Sequence, residues 1–328
     1  MRIAVVGCGA LGGFYGAKLC RGGQDVHFLL RSDYEVVRRQ GVKIHSRDGD
    51  FHARPGCARD PVEIGVAELV IIGLKTTAND QFANLLPPLV GERTALLTLQ
   101  NGLGNEEKLA DLFGAERILG GLCFVCLNRI EPGVIEHLDH GRIELGEFRR
   151  RAEARTHHLA SMFRQAGVTC DVTDDLARAH WEKLVWNIPF NGLGVAGAAG
   201  LEAVRHGAVA AQGALGPTLT TDRLLADPGW EQLVRELMLE VVHAAQGLGL
   251  KLAESVAETQ IARTRTMGAY KPSTLLDFER GQPLELESLF CEALRQAQKA
   301  GVATPRLAAL CAVLSDLSRA MTSQPTMR

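Results

Sequence analysis

Lys183, Asn187 and Asn191 recur four residues apart within HWEKLVWNIPFN, a stretch otherwise dominated by Trp181, Leu184, Val185, Trp186, Ile188 and Phe190. On a continuous helix that spacing stacks the three side chains on one face, as a polar stripe along an apolar segment. Such a stripe suits a small polar substrate. An ammonium placed there stabilises negative charge developing on a substrate oxygen and donates the proton. Pro189 falls between the second and third members and is expected to disturb the helix there. A competing reading has Lys183 snorkelling from a buried helix or pairing with Glu182.

A second constellation is GCGALG, which comprises Gly7, Cys8, Gly9, Ala10, Leu11 and Gly12. It directly follows the β-rich run RIAVV and precedes a helical pattern of Leu11, Tyr15, Lys18 and Leu19. In a dinucleotide-binding turn the first glycine makes the tight bend and the second lets backbone approach a diphosphate. The third allows close helix-to-strand packing, with the diphosphate on the helix N-terminus. An NAD site is expected to carry a carboxylate at the end of the second strand, to bind the ribose hydroxyls. Here that strand, DVHFLL, ends in Arg31, whose guanidinium fork suits a 2′-phosphate, so the expected cofactor is NADP(H). Lys75, after the apolar run LVIIGL, falls at the same C-terminal edge and would add to that charge.

These residues need a scaffold, and the chain's texture supplies one. Residues 1–172 alternate short β-rich runs (RIAVV, DVHFLL, LVIIGL, TALLTL) with helical stretches, the order of a doubly wound α/β sheet. Three shorter β-like segments, RILGGLCFVCL, GVIEHL and RIELGE, are expected to extend or edge it. A helix near 152–166 and a strand near 168–172 follow. From 173 to 328 the periodicity becomes helical, over 175–188, 230–247, 253–268, 285–300 and 305–320. Between these lies a Gly/Ala-rich link that reads either as close-packed helices or as a mobile connection.

With 328 residues the expectation is two domains. A net charge of -2 gives no support for nucleic acid or an anionic membrane as partner. The longest uncharged run, Leu184–Leu201, contains Pro189 and four glycines, so it reads as buried in protein and not in lipid. A strand beginning at Arg2 leaves no room for a signal peptide, and eight scattered cysteines favour reduced thiols in the cytoplasm. Cys123 and Cys126 lie on a strand-like run and read as core residues, so no metal is expected. His137, His140 and His180 read as surface or structural.

Four stretches together resemble the ketopantoate reductase (2-dehydropantoate 2-reductase) family: GCGALG, LQNGLGN at 99–105, EKLVWNIPFN at 182–191 and PSTLLDFERGQPLELESL at 272–289. The resemblance implies a Rossmann domain over 1–172 and an all-helical domain over 173–328, of the 6-phosphogluconate dehydrogenase type. It also implies NADPH-dependent reduction of a 2-oxo acid, 2-dehydropantoate to pantoate, on the way to pantothenate and coenzyme A. By the same resemblance Lys183 is the catalytic lysine, Glu285 the family's glutamate, and Asn101 the loop asparagine near the nicotinamide. Asn101, Asn187, Asn191 and Ser273 meet the substrate, and Arg31 and Lys75 take the 2′-phosphate. Hydride arriving at a 2-oxo carbon leaves negative charge on the carbonyl oxygen, and proton donation there is typically worth roughly 10²- to 10⁴-fold in rate.

The chain departs from the family pattern beyond Asn191. Gly192 stands where the family often has proline, and 35 residues separate Asn191 from DPGW, more than the family's usual short link. Two competing functions follow: the same hydride chemistry on another small oxo or hydroxy acid, or a non-catalytic NADP-binding sensor. Retention of Lys183 and Glu285 argues against the sensor. The helical half offers apolar faces on which two copies could pair as a homodimer.

Overall fold

The apolar runs of the first half form the centre of a ten-stranded sheet in the computed structural model, which describes residues 1–209 and 215–323. Its strands are β1 (Arg2–Val6), β2 (Asp25–Leu29), β3 (Val42–Ser46), β4 (Phe51–Ala53), β5 (Gly56–Ala58), β6 (Leu69–Ile72), β7 (Ala95–Thr98), β8 (Ile118–Glu131), β9 (Val134–Glu147) and β10 (Cys170–Val172). They run in the order β4-β3-β9-β8-β7-β6-β1-β2-β5, with β10 also paired to β9. The segment β8-β7-β6-β1-β2-β5 is parallel throughout. Ile3, Val5, Leu69, Ile71 and Leu97 pack into one core, while Ala4, Val6, Val70, Ile72 and Leu96 pack into another. Burial on both faces explains why these strands read as unbroken apolar runs.

β1 lies between β2 and β6, so the chain steps from it to one side for β2 and later crosses to the other for β6. The loops after β1, β2 and β6 therefore share the switch point, where open α/β sheets bind ligands.

The three β-like segments expected after residue 117 are two long strands of 14 residues each, β8 and β9, joined as an antiparallel hairpin. The misreading has a local cause. β9 contains His140 at φ 63° and Gly141 at φ 119°, a kink that splits its apolar pattern in two. β3, β4 and β5 are additions that the sequence reading did not name.

At the end of β9, Glu147 is buried and accepts hydrogen bonds from Arg155 Nε (2.9 Å), Thr156 Oγ1 (2.6 Å) and Arg150 Nη2 (3.0 Å). Burial pushes its pKa up, but the hydrogen bonds from Arg155 and Thr156 outweigh it and hold the carboxyl below its ordinary value. The stabilisation is thus present above the unfolded pKa and is lost as pH falls through the lowered folded one. Glu147→Ala is expected to cost roughly 1 to 3 kcal/mol by leaving the buried Thr156 hydroxyl and the Arg155 Nε without their acceptor. In chemical denaturation the variant should also lose wild type's added acid sensitivity.

The chain divides into two units, Met1–Leu176 and Ala177 onward. The second is helical: Leu176–Ala196, Leu201–His206, Thr221–Ala226, Pro228–Gly247, Ser255–Thr264, Ser273–Glu279, a π turn over Glu287–Cys291 continuing into Glu292–Lys299, and Pro305–Ser323. The DPGW signal acts as a helix start. Asp227 caps the Gly229 and Trp230 amides, with Pro228 in the first turn, where no amide hydrogen is needed. Leu233, Val234, Leu237, Met238 and Val241 of that helix are buried, as are Leu307, Leu310 and Leu314 of the last.

Pro189 does not end the helix, which continues from Leu176 to Ala196. Proline there removes one hydrogen-bond donor, and the surrounding burial of Val185, Ile188 and Phe190 holds the helix in register. Among the described residues no helix is long and apolar enough to cross a membrane.

Candidate active site

The glycine loop sits at the switch point, immediately after β1. Gly7 has φ 95°, and a Cβ there would lie 2.3 Å from the Leu74 amide nitrogen. At Gly12 it would lie 2.3 Å from the Gly7 carbonyl oxygen, so both glycines are required by the fold itself. Gly9 differs: nothing lies within 4 Å of where its Cβ would be. The protein's own packing does not demand a glycine there, whereas a diphosphate approaching the backbone would. Gly9 caps the helix Ala10–Arg21 without a side-chain hydrogen bond, and the first turn carries no acidic residue, so the positive helix end suits an anion. Cys8 points inward, its Sγ 3.3 Å from the Val5 carbonyl oxygen, and burial pushes its thiol pKa well up, which suits an inert residue.

Arg31 follows β2 and is exposed; Lys75 follows β6 and is exposed, at the start of the turn Thr76–Gln81. They lie beyond the two strands that flank β1. Asp33, two residues past Arg31, is the carboxylate closest in sequence to the NAD-type position, but it is committed elsewhere. Arg129 Nε donates to it at 2.9 Å and Arg129 Nη2 to its other oxygen. Although burial raises its pKa, the Arg129 hydrogen bonds hold it low. The sequence reading missed this pair, which spans 96 positions.

Asn101 lies beyond the C-terminal end of β7, half-buried, next to Gly102 at φ 86°. Its backbone is held by a buried amide chain that was likewise not foreseen. Thr98 Oγ1 donates to Gln100 Oε1 (3.0 Å), and Gln100 Nε2 to Asn79 Oδ1 (2.7 Å). Asn79 Nδ2 then donates to Asn105 Oδ1 (2.8 Å), and Asn105 Nδ2 to the Asn101 carbonyl oxygen (3.1 Å). The chain locks the Lys75 loop to the Asn101 loop. Asn79 and Asn105 were visible only as polar residues in TTAND and LQNGLGN. Asn105→Leu strands the Asn79 amide and is expected to cost about 1 to 3 kcal/mol, read as a lower denaturant midpoint.

In the helical unit, Lys183, Asn187 and Asn191 share one face of the unbroken helix, the lysine half-buried and both asparagines buried. Glu182, the alternative partner for the lysine, receives Arg178 Nη1 at 2.7 Å. Asn191 Oδ1 accepts the Thr274 amide (3.1 Å) and the Ser273 hydroxyl (3.4 Å). Two separate motifs are thus brought together, and Asn191 fixes the N-terminus of the helix Ser273–Glu279. Glu285 is buried just ahead of the π turn Glu287–Cys291, a helix irregularity often found at functional sites.

The departure after Asn191 also has a physical reason. A Cβ at Gly192 would lie 2.6 Å from Leu310 Cδ2, and one at Gly197 would lie 2.6 Å from Leu219 Cγ. The glycines let the returning segment and the last helix close onto this helix, with Leu219 N donating to the Gly194 carbonyl (2.9 Å). Residues 210–214 of the link lie outside the described ones.

The family model described as "Ketopantoate reductase PanE/ApbA" matches residues 3–150, and its C-terminal counterpart matches 175–318. A 2-dehydropantoate 2-reductase of a Nostoc species is 38% identical over 93% of this chain and 92% of its own. The crystal structure of a 2-dehydropantoate 2-reductase from Geobacter metallireducens superposes with a TM-score of 0.87 at 48% identity, covering 96% and 99% of the two chains. A D-mandelate dehydrogenase bound to NADH and anilino(oxo)acetate superposes at 0.82 over 99% and 100%, but at 18% identity it shares only the fold.

Proposed function

The chain belongs to the ketopantoate reductase family, and we propose that it reduces 2-dehydropantoate to pantoate with NADPH, Lys183 serving as general acid. The Gly7–Gly12 amides hold the cofactor diphosphate, Arg31 and Lys75 the 2′-phosphate, and Asn101 stands by the nicotinamide. When bound, the reduced nicotinamide supplies hydride to the 2-oxo carbon. The Lys183 ammonium donates a hydrogen bond to the carbonyl oxygen and gives it the proton that makes the alcohol, afterwards taking one back from water. When substrate binds, Ser273 turns its one hydroxyl proton from Asn191 Oδ1 to the substrate carboxylate. Asn187 and Asn191 orient the remaining oxygens, and Glu285 acts beside the lysine as the second catalytic residue.

The observation that carries this reading is the Asn191 contact with Ser273 and Thr274. With its Oδ1 held by the Thr274 amide, Asn191 turns Nδ2, a donor, towards the substrate, which suits an anionic oxo acid. Incubation of 2-dehydropantoate with NADPH carrying two deuteriums at C4 of the nicotinamide tests the reaction. Deuterium is expected at C2 of pantoate, and its absence from the product would refute hydride transfer from the cofactor.

A further inference from the structure

From Leu184 to Ala196 every residue is buried except Trp186, which keeps part of its surface accessible. It lies three positions past Lys183, so the indole and the ammonium are neighbours on one helical face. The ring is fixed from behind: indole Nε1 donates to Thr264 Oγ1 at 2.9 Å, and that hydroxyl donates to the Gln260 carbonyl at 2.7 Å. Its flanks meet Phe190 (centroids 5.1 Å, planes at 34°) and Tyr270 (6.2 Å, 47°), so the buried Phe190 backs the indole while Trp186 and Tyr270 keep part of their surface accessible.

Tyr270 stands three residues before Ser273, and its position depends on the segment that departs from the family pattern. Thr221, at the end of that segment, donates its amide to the Tyr270 carbonyl (3.1 Å) and accepts the Tyr270 amide on Oγ1 (3.1 Å). The same hydroxyl bonds the Gly268 carbonyl at 2.8 Å.

From this arrangement we infer that Trp186 and Tyr270 form a rigid aromatic wall against which the apolar substituent of the 2-oxo acid packs, and that this wall sets the substrate side chain the enzyme accepts. The inference rests on the 2-oxo acid reading above and specifies it. Thr264 fixes the indole and Thr221 the Tyr270 backbone, so the wall does not move aside for a bulkier group, and a compact branched aliphatic chain is expected to be preferred to a larger phenyl group. Trp186 and Tyr270 would touch substrate; Thr264 and Thr221 are positioning residues.

The test compares 2-dehydropantoate with phenylglyoxylate in wild type, Trp186→Val, Tyr270→Leu and Thr264→Val. Trp186→Val is expected to raise the phenylglyoxylate to 2-dehydropantoate ratio of kcat/KM by about 30-fold or more, chiefly through KM. Tyr270→Leu should move it the same way. Thr264→Val should do so by about threefold, since only ring placement is loosened. A Trp186→Phe variant guards against misfolding; keeping a ring, it should give an intermediate ratio. Ratios within about twofold of wild type in both Trp186→Val and Tyr270→Leu would overturn the wall, as would a loss of kcat at unchanged KM. If wild type turns over neither acid, the proposed reaction fails on its own. The wall is then read from calorimetric Kd values of the two acids on the same proteins: a shifted ratio sustains it, and an unchanged ratio or no binding rejects it.

Discussion

Lys183→Ala is expected to lower kcat for 2-oxo acid reduction by about 10²- to 10⁴-fold while leaving NADPH affinity within about twofold. The alkoxide that forms when hydride reaches the carbonyl carbon is strongly basic and carries its charge on one oxygen. Removing the ammonium removes both the charge that stabilises it and the proton that quenches it. The lysine is carried on a helix whose neighbouring positions Leu184, Val185, Asn187 and Ile188 are buried, so its placement is rigid and its loss is not readily replaced by water. Lys183→Arg separates the two contributions. A guanidinium retains the charge but does not surrender a proton, so substrate affinity should recover more than kcat.

Arg31→Ala is expected to weaken NADPH by about 10- to 100-fold, the worth of one or two charge-assisted hydrogen bonds to a phosphate, and NADH by less than about threefold. Titration of cofactor fluorescence in the binary complex reads this without catalysis. The expectation is strengthened by the engagement of Asp33 with Arg129 Nε at 2.9 Å. A carboxylate near this position that could accept ribose hydroxyls is instead occupied by its own guanidinium. Equal losses for both cofactors would place Arg31 outside the 2′-phosphate site. Arg129→Ala would release Asp33 and is expected to lessen the preference for NADPH, for the opposite electrostatic reason.

Local signals carried most of what could be read in advance. The glycine loop, the βα alternation and the helical texture after residue 173 depend on contiguous residues, and the sheet order places the loop at the switch point as that motif requires. The four-residue spacing of Lys183, Asn187 and Asn191 was legible for the same reason, and Pro189 does not end the helix that carries them. What escaped was non-local or conformational. The His140–Gly141 kink hid the true length of β9. The Arg129–Asp33 pair and the Asn79–Asn105 hydrogen bond join residues 96 and 26 positions apart, and no periodicity announces them. Gly192 and Gly197 looked like departures from a pattern. Their role emerges only when Leu310 and Leu219 are seen where a Cβ would have been. The hold of Asn191 on the start of the Ser273 helix is of the same kind.

The most direct measurement is NADPH and NADH oxidation by purified protein with 2-dehydropantoate and a panel of other small 2-oxo acids, each run beside the Lys183→Ala variant. The predicted result is that 2-dehydropantoate with NADPH gives the highest kcat/KM, at least about 100-fold above the variant and well above the same acid with NADH. Oxidation with 2-dehydropantoate no faster than that of Lys183→Ala would contradict it.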